Sequence, residues 1–541
     1  MSGWSRPAVI ALATLGVALP ARAAGPAVAP APRVVSPTPA QLRADAERAE
    51  RQGRWEKALD LYMLAYVGRP SADLKARIRV CLRNVNRLQR HRDAAFQQFV
   101  LSLPVADALN LYAETVAKLS TLYTDRDRAA PARLFGLGID ELDRALSDPA
   151  FRDRHLTSPA GTRVRNFRRA LREDWRHRLP TSPSEARFAA RELVADAQEA
   201  LGVRTPSAVV FELLCGACTG LDEYTVYVTP TAAQAELASP IVELAAYGVL
   251  VRFVGGELVV EGLVPGSWAA LTTGLRKGDR IVRVNGRPVV AGNPALVAQA
   301  FRDPGMTGHE LEILPIEPGM SSPMVQLPVP APTVYAATML NPRDGVGYVK
   351  VAEFRDSTAR ELDDAVYRLK GQGLRALIVD LRSNPGGLFT AGVEVAQRFL
   401  PAGIIVTTRG QSPEFAGRVF SSDAGMSAFD LPVVLLIDTR TMSAAEAVAA
   451  AWKDHNRATL VGLPTFGKGV IQSPIRLTAA DGPDGGPHRS GVLIVTVASM
   501  FGPRGGAING AGVTPHVLEA DPNRQLDLAV AKAVELVAGG R

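Results

Sequence analysis

Ser443 and Lys468 stand in the surroundings that best suit covalent chemistry. An apolar β-branched run, Val433 to Ile437, leads into the polar turn Asp438-Thr439-Arg440-Thr441, and Ser443 then opens an alanine-rich helical run to about Trp452. Lys468 lies between two glycines in Gly462-Leu463-Pro464-Thr465-Phe466-Gly467-Lys468-Gly469, after a second strand-like run, Ala458 to Val461. The two are 25 positions apart (443 to 468), so only folding can bring them together. A serine hydroxyl is a poor nucleophile until a base takes its proton. Of the 7 histidines, His455 is nearest but sits beyond the far end of the Ser443 helix, and no Gly-x-Ser-x-Gly turn is present, so a Ser-His-Asp triad is not expected. A lysine serves as base if it is neutral, which requires burial and no close carboxylate. Phe466, the flanking glycines and the apolar Val470-Ile471 give Lys468 that setting. Gln472, four residues on, shares a face with Lys468 in an extended run and could hold the amine without favouring its charged form. The helix start also offers the Ala444 N–H as an oxyanion donor, and Gly386 or Gly387, in the turn Leu381-Arg382-Ser383-Asn384-Pro385-Gly386-Gly387, offers a second.

Alternating strand and helix patterns surround these residues. Val346 to Val351 reads as a strand, Ala359 to Leu369 as an amphipathic helix and Ala376 to Asp380 as a buried strand; a helix to Leu400 and a strand at Ile404 to Thr407 follow. Beyond Leu477 come a loop from Ala479 to Pro487, a strand from Val492 to Ala498 and a closing helix from Leu526 to Val537. Upstream, about Ala245 to Pro330 is a compact block of short strands and turns, and Ala40 to about His177 carries helical periodicity. The stretch from Pro180 to Pro230 is mixed. Gln52 to Tyr62 resembles the first helix of a tetratricopeptide-type hairpin, as one unit and not an array; it leaves a protein partner for the helical region open.

Three segments, DLRSNPGG, SAAEAVAAAWKDHNRATLVG and FGKGVIQ, resemble the carboxyl-terminal processing (tail-specific) serine peptidase family, and the run GLRKGDRIVRVNG resembles its inserted PDZ domain. The resemblance covers about Leu221 to the C-terminus. It implies a small β-rich PDZ domain over 241–332 and an α/β (crotonase/ClpP-like) peptidase core over 333–541, joined by the mixed segment 181–240. With the residue patterns upstream (a signal peptide over 1–23, a linker over 24–39 and an all-α accessory domain over 40–180) the expected protein is multidomain. The resemblance further implies Ser443 as nucleophile, Lys468 as general base, Gln472 as the residue that orients the lysine, and Gly386 with Ala444 as the oxyanion hole. Glu446 matches a motif glutamate, read here as support for the helix start. Tyr247, Gly248, Val249 and Leu250 would form the loop that receives a substrate's C-terminal carboxylate, the peptide adding as a strand. No metal or organic cofactor is implied. Arg440-Thr441-Met442 stand where the family usually has small residues, Ala445 replaces its second serine, and Gly502-Pro503-Arg504-Gly505 stands near the place of its T-P-S-G-R loop. These departures bear on specificity and leave nucleophile and base in place.

Composition sets the outer limits. A chain of 541 residues is too long for one core, and 47% hydrophobic with 21% charged residues is ordinary for a globular protein. The net charge of +7 is modest. The run RVRNFRRALREDWRHR, Arg163 to Arg178, reads as a solvated helix face, with an acidic partner or an anionic membrane surface as alternatives; nucleic-acid binding is not expected. Met1 to Ala24 has the pattern of an export signal, or of an uncleaved interfacial anchor, and its apolar stretch is too short for a stable span. Export to the periplasm, with or without membrane association, follows as the expected location. The 3 cysteines make no disulfide framework; Cys215 and Cys218 read as packed in a helix or as closing a small loop. Gly462 to Gly469 nearly matches a phosphate-binding loop but ends on a glycine and precedes a strand. The rival to an active peptidase is a catalytically inactive scaffold that binds protein C-termini.

Overall fold

The structure is a computed structural model, and it describes residues 38–68, 71–157, 161–230, 244, 247–254, 257–263, 267–289, 308–316, 323–328, 332–423, 429–481 and 490–539. The expected signal peptide, all but the last two residues of the expected linker, and most of the loop expected over Ala479–Pro487 lie outside these residues.

The chain begins with α1 (Pro39–Arg51), α2 (Trp55–Gly68) and α3 (Ala72–Arg92), which close on a small core that includes Ala46, Tyr62, Ile78 and Cys81. The Gln52–Tyr62 run spans the turn before α2 and the first part of that helix. Next come α4 (Ala94–Ser102), α5 (Val105–Leu122), α6 (Pro131–Ala145), α7 (Pro149–His155), α8 (Gly161–Glu173), α9 (Pro183–Leu201) and α10 (Pro206–Thr219). Their apolar faces do not make a separate domain core. From Phe96 to Val513 one continuous hydrophobic core runs through these helices and the C-terminal α/β region. Several arginines of the Arg163–Arg178 run are paired within the protein: Arg168 and Arg172 reach Asp143, and Arg176 beyond the helix reaches Asp140, both on α6. Cys81, Cys215 and Cys218 are buried and unbonded, the last two packed on α10.

The β-rich domain contains β2 (Val249–Val254), β3 (Glu257–Leu263), α11 (Trp268–Thr272), β4 (Arg280–Val284), β5 (Arg287–Pro288), β6 (His309–Leu314) and β7 (Met324–Leu327). It forms an antiparallel sheet of order β2-β3-β4-β6-β7, with β5 beside β4. Leu244, Tyr247, Val260, Ile281, Leu311 and Ile313 belong to its own closed core.

The α/β region follows with β8 (Val334–Asn341), β9 (Val346–Val351), α12 (Thr358–Lys370), β10 (Ala376–Asp380), α13 (Phe389–Gln397), β11 (Gly403–Gly410), β12 (Val419–Ser422), β13 (Val433–Ile437), α14 (Ala444–Asp454), β14 (Ala458–Gly462), β15 (Val470–Arg476), β16 (Val492–Phe501), β17 (Val517–Leu518) and α15 (Pro522–Ala538). One sheet has the order β17-β14-β13-β10-β9-β8, parallel from β9 to β17. Every residue of β10 and β13 is buried, as expected of parallel strands covered on both faces. A second sheet is built around β16, which pairs with β11, β15 and β1 (Val226–Val228). The mixed segment thus meets the α/β region through a strand. The architecture is the multidomain one expected: a helical N-terminal region, a small β-rich domain and an α/β core.

Candidate active site

Strands β10, β13 and β14 are neighbours in the parallel sheet, in the registers Asp380↔Leu436 and Leu436↔Val461. Parallel neighbours deliver their next loops to the same edge, where sites form in open α/β sheets. The three loops here are Leu381–Leu388, Asp438–Met442 and Leu463–Gly469, so the topology gathers the Gly386 turn, Ser443 and Lys468. The first two are stitched together. Met442 N–H donates to Asn384 O (2.9 Å), Thr441 Oγ1 donates to Leu381 O (2.8 Å), and Ser383 N–H donates to Asp438 Oδ1 (2.9 Å). Beneath the turn, Asp380 accepts from Lys350 (3.1 Å) and Tyr348 (2.8 Å) and pairs with Arg382 (2.6 Å). Burial pushes the Asp380 carboxyl up, and Lys350 with Arg382 outweighs that, bringing it down to about 2.

Ser443 caps α14 with φ +56 and ψ −120, a backbone conformation that a non-glycine residue rarely adopts. The serine is held there tightly: a Cβ on Gly386 (φ +98) would stand 2.8 Å from Ser443 Cβ and 3.1 Å from Ala444 N. Only glycine lets that turn approach Ser443 so closely. The Ala444 N–H, at the start of α14, has no hydrogen-bond partner among the described residues. The Gly386 N–H does: it donates to Asn384 Oδ1 at 2.8 Å. The expectation of Gly386 as a ready oxyanion donor therefore meets an occupied group, while Gly387 N–H in the same turn has no partner among the described residues. The difference arises because the Asn384 carboxamide, fully buried, folds back over its own turn.

Lys468 is 6% exposed, and its Nζ stands 4.9 Å from the centre of the Tyr224 ring. Burial lowers the amine to about 8, opposed by the more distant charges of Glu446, Asp222 and Glu223. No carboxylate is within ion-pair distance of it among the described residues, and no hydrogen bond joins it to Ser443 Oγ. What links the two loops is Glu446, fully buried on the first turn of α14. Its Oε2 accepts from the backbone N–H groups of Ser443 (3.0 Å) and Lys468 (2.7 Å). Its Oε1 accepts from Gly467 N–H (2.6 Å) and from Thr465 Oγ1 (2.5 Å). Burial raises the Glu446 carboxyl, and these four donors hold it back.

The structure brings Ser443, Lys468, Ala444 and Gly386, the site residues named from sequence, into one neighbourhood. The sequence reading undervalued Glu446, whose spacing from Ser443 marked only a helix start. Gln472 sits on β15 opposite Thr496, and its buried Nε2 has no hydrogen-bond partner among the described residues; it makes no hydrogen bond to Lys468. His455 is occupied at the far end of α14, its Nε2 2.7 Å from Ile404 O. Arg440 turns back onto Asp438 of its own turn (3.5 Å). Gly462–Gly469 leads into strand β15, not a helix, which removes it as a phosphate loop. A cavity of about 530 Å³ borders the site along Tyr224 and Val470, but neither Ser443 nor Lys468 lines it. In the β-rich domain Tyr247 and Val249 are buried and Gly248 has φ +82. The next strand, β2, lies at the sheet edge among the described residues.

Residues 345–518 match the model of peptidase family S41, and residues 246–312 match that of the PDZ domain. A carboxyl-terminal-processing protease of Synechocystis sp. is 31% identical over 283 residues, 49% of this chain and 62% of that one. The chloroplastic carboxyl-terminal-processing peptidase 1 of Arabidopsis thaliana is 33% identical over 267 residues, 48% of this chain and 51% of that one. Thus the chain matches between half and two thirds of the length of these two relatives. A carboxyl-terminal-processing protease of Picosynechococcus sp. is 31% identical over 305 residues, 54% of this chain and 69% of that one.

Proposed function

The chain belongs to peptidase family S41, among the carboxyl-terminal-processing proteases, and from that premise we propose that it is a serine endopeptidase that cuts proteins near their C-terminal tails with a Ser443–Lys468 pair. The observation that carries this reading is the state of Lys468: a buried amine near 8, without a carboxylate partner among the described residues, whose backbone shares one carboxylate with the backbone of Ser443. A neutral lysine can take the Ser443 proton as the hydroxyl attacks a scissile carbonyl. The developing oxyanion is met by Ala444 N–H and by an N–H of the Gly386-Gly387 turn, from Gly387 directly or from Gly386 on release from Asn384. The leaving amine takes the proton from Lys468, and a water deprotonated by the same lysine then releases the acyl group. The PDZ domain captures the free C-terminus at Tyr247–Leu250 and adds the tail to β2 as a strand, a role that the positive φ of Gly248 and the edge position support. Cleavage takes place outside the cytoplasm, in the periplasm, if the Met1–Ala24 pattern directs export; N-terminal sequencing of the exported fraction tests that.

The test compares wild type with Ser443→Ala and Lys468→Ala on an unstructured protein with a free C-terminus. Wild type is expected to cut, and both variants to lose at least about 1,000-fold in rate. A variant that cuts as well as wild type removes its residue from the mechanism. One observation favours the scaffold reading, the missing hydrogen bond between Ser443 Oγ and Lys468 Nζ. Tail binding by a wild type that never cuts would support it.

A further inference from the structure

A second buried lysine grips the loop that carries Lys468, and it comes from the far end of the chain. Lys75 lies on α3 and is 6% exposed. Its Nζ donates to Phe466 O (2.5 Å), Gly467 O (3.2 Å) and Gly510 O (3.3 Å), and stands 5.1 Å from the centre of the Phe466 ring. No carboxylate pairs with it among the described residues. Burying an ammonium opposes folding, and an apolar side chain would pack a helix contact without that penalty. The amide units from Phe466 to Lys468 are therefore held from both sides. Their N–H groups donate to Glu446 on the nucleophile's helix, and their carbonyls accept from Lys75. Gly467 fits this arrangement, since a Cβ there would stand 2.5 Å from Lys75 Nζ. One turn along the same face of α3, Arg79 Nε donates to Glu223 (2.8 Å). Glu223 precedes Tyr224, the ring that lies over Lys468.

We propose that Lys75 is a positioning residue for the peptidase reaction: by fixing the Phe466 and Gly467 carbonyls it sets the loop from which Lys468 faces Ser443. The α1–α3 bundle is then part of the working catalytic unit and not a detachable partner-binding module. This rests on the peptidase reading above, and the experiment separates the two.

Full-length wild type, Lys75→Met, Lys75→Gln and Ser443→Ala as blank are compared by kcat and KM on the unstructured substrate, and by labelling with a fluorophosphonate, which phosphonylates an activated serine. Lys75→Met, of similar length but without donors, is expected to lower kcat and labelling by about 20-fold or more, with KM within about twofold. Lys75→Gln, which keeps an N–H donor but not the three-donor ammonium, is expected to recover about a fifth to a half of the wild-type kcat. If Lys75→Met does not fold, Lys75→Gln decides alone: a lowered kcat at unchanged KM supports the proposal, and wild-type kcat overturns it. A Lys75→Met enzyme labelled as fast as wild type overturns the proposal and leaves the peptidase reading intact. Loss of kcat and thermal stability together, with no recovery by glutamine, also overturns it, because that marks a merely structural contact. A wild type that neither cuts nor is labelled overturns both.

Discussion

The helical region and the PDZ domain are both additions to the peptidase core, and they are attached in opposite ways. From α4 onward the helices share one continuous hydrophobic core with the α/β region, and α3 reaches the Lys468 loop through Lys75. The PDZ domain instead closes on its own core, and the conformation of its Tyr247–Leu250 loop is set locally: Ala269 N–H donates to Tyr247 O (2.9 Å), and Tyr247 packs edge-on against Trp268. A domain that shares a core transmits strain to what it packs against, whereas one with its own core can move as a body. Disturbing the helical region should therefore change turnover, and disturbing the PDZ loop should change only which substrates are held.

Glu446 offers the largest way to break this distinction. Glu446→Ala leaves three backbone N–H groups and the Thr465 hydroxyl without their acceptor. At about 1–3 kcal/mol for a buried unsatisfied group, partly relieved by water, unfolding free energy should fall by about 3–5 kcal/mol. Cleavage should fall by more than about 100-fold, while calorimetric binding of a tail peptide to the PDZ domain stays within about twofold. Loss of peptide binding together with cleavage would mean that the PDZ domain is not independent of the core.

The reciprocal change is Gly248→Val. A β-branched residue at φ +82 is strained by about 1–2 kcal/mol. It should raise KM for a tailed protein by about tenfold and leave turnover of a short peptide, too small to span both sites, as it was. A fall in short-peptide turnover would contradict the local character of the loop.

Two pH effects belong to the fused side. Lys468 must be neutral to act, and it titrates near 8, so kcat/KM should rise with pH through about 8 and level off above it. A profile that is flat or falls across that range would remove Lys468 as the base. Asp380, held at about 2 in the folded chain against about 3.9 in an unfolded one, adds stability that is full above about 4 and is lost as pH falls toward 2. The effect is on the order of 2 kcal/mol, and it should vanish in Asp380→Asn when melting is followed from pH 5 to pH 2.

Much of this was legible in the residues. The strands Val346–Val351, Ala376–Asp380 and Val433–Ile437 coincide with β9, β10 and β13; the last two, buried on both faces, write apolar runs between turns. That Ser443 and Lys468 are candidates for nucleophile and base was legible too, through the residue types around them. Lys75 was not. In α3 it stands beside the apolar stripe Leu74, Ile78, Cys81 and Val85 among many other cations, and nothing local separates a lysine that caps carbonyls of a distant loop from one in water. The role of Glu446 was half visible: its spacing from Ser443 gives the helix start, but its hold on Gly467 and Lys468 depends on the β13–β14 pairing. The division into an accessory helical domain was drawn from periodicity, which shows that a helix has an apolar face and not which element covers it.

Gln472 carries the smallest predicted effect and the sharpest contrast with Lys75. Both were open to the same description, a polar side chain that steadies the base. Lys75 makes three hydrogen bonds to the neighbourhood of Lys468; the Gln472 amide nitrogen is buried with no partner among the described residues. An amide that bonds nothing leaves no acceptor bereft when it is removed, and the space it vacates is that of a side chain only partly buried. Gln472→Ala should therefore lower kcat by less than about fivefold and leave the pH inflection near 8. A loss of tenfold or more, with the inflection displaced, would mean that the amide swings onto the amine during turnover. The base would then be steadied from its own strand, and the hold of the helical region on it would be secondary.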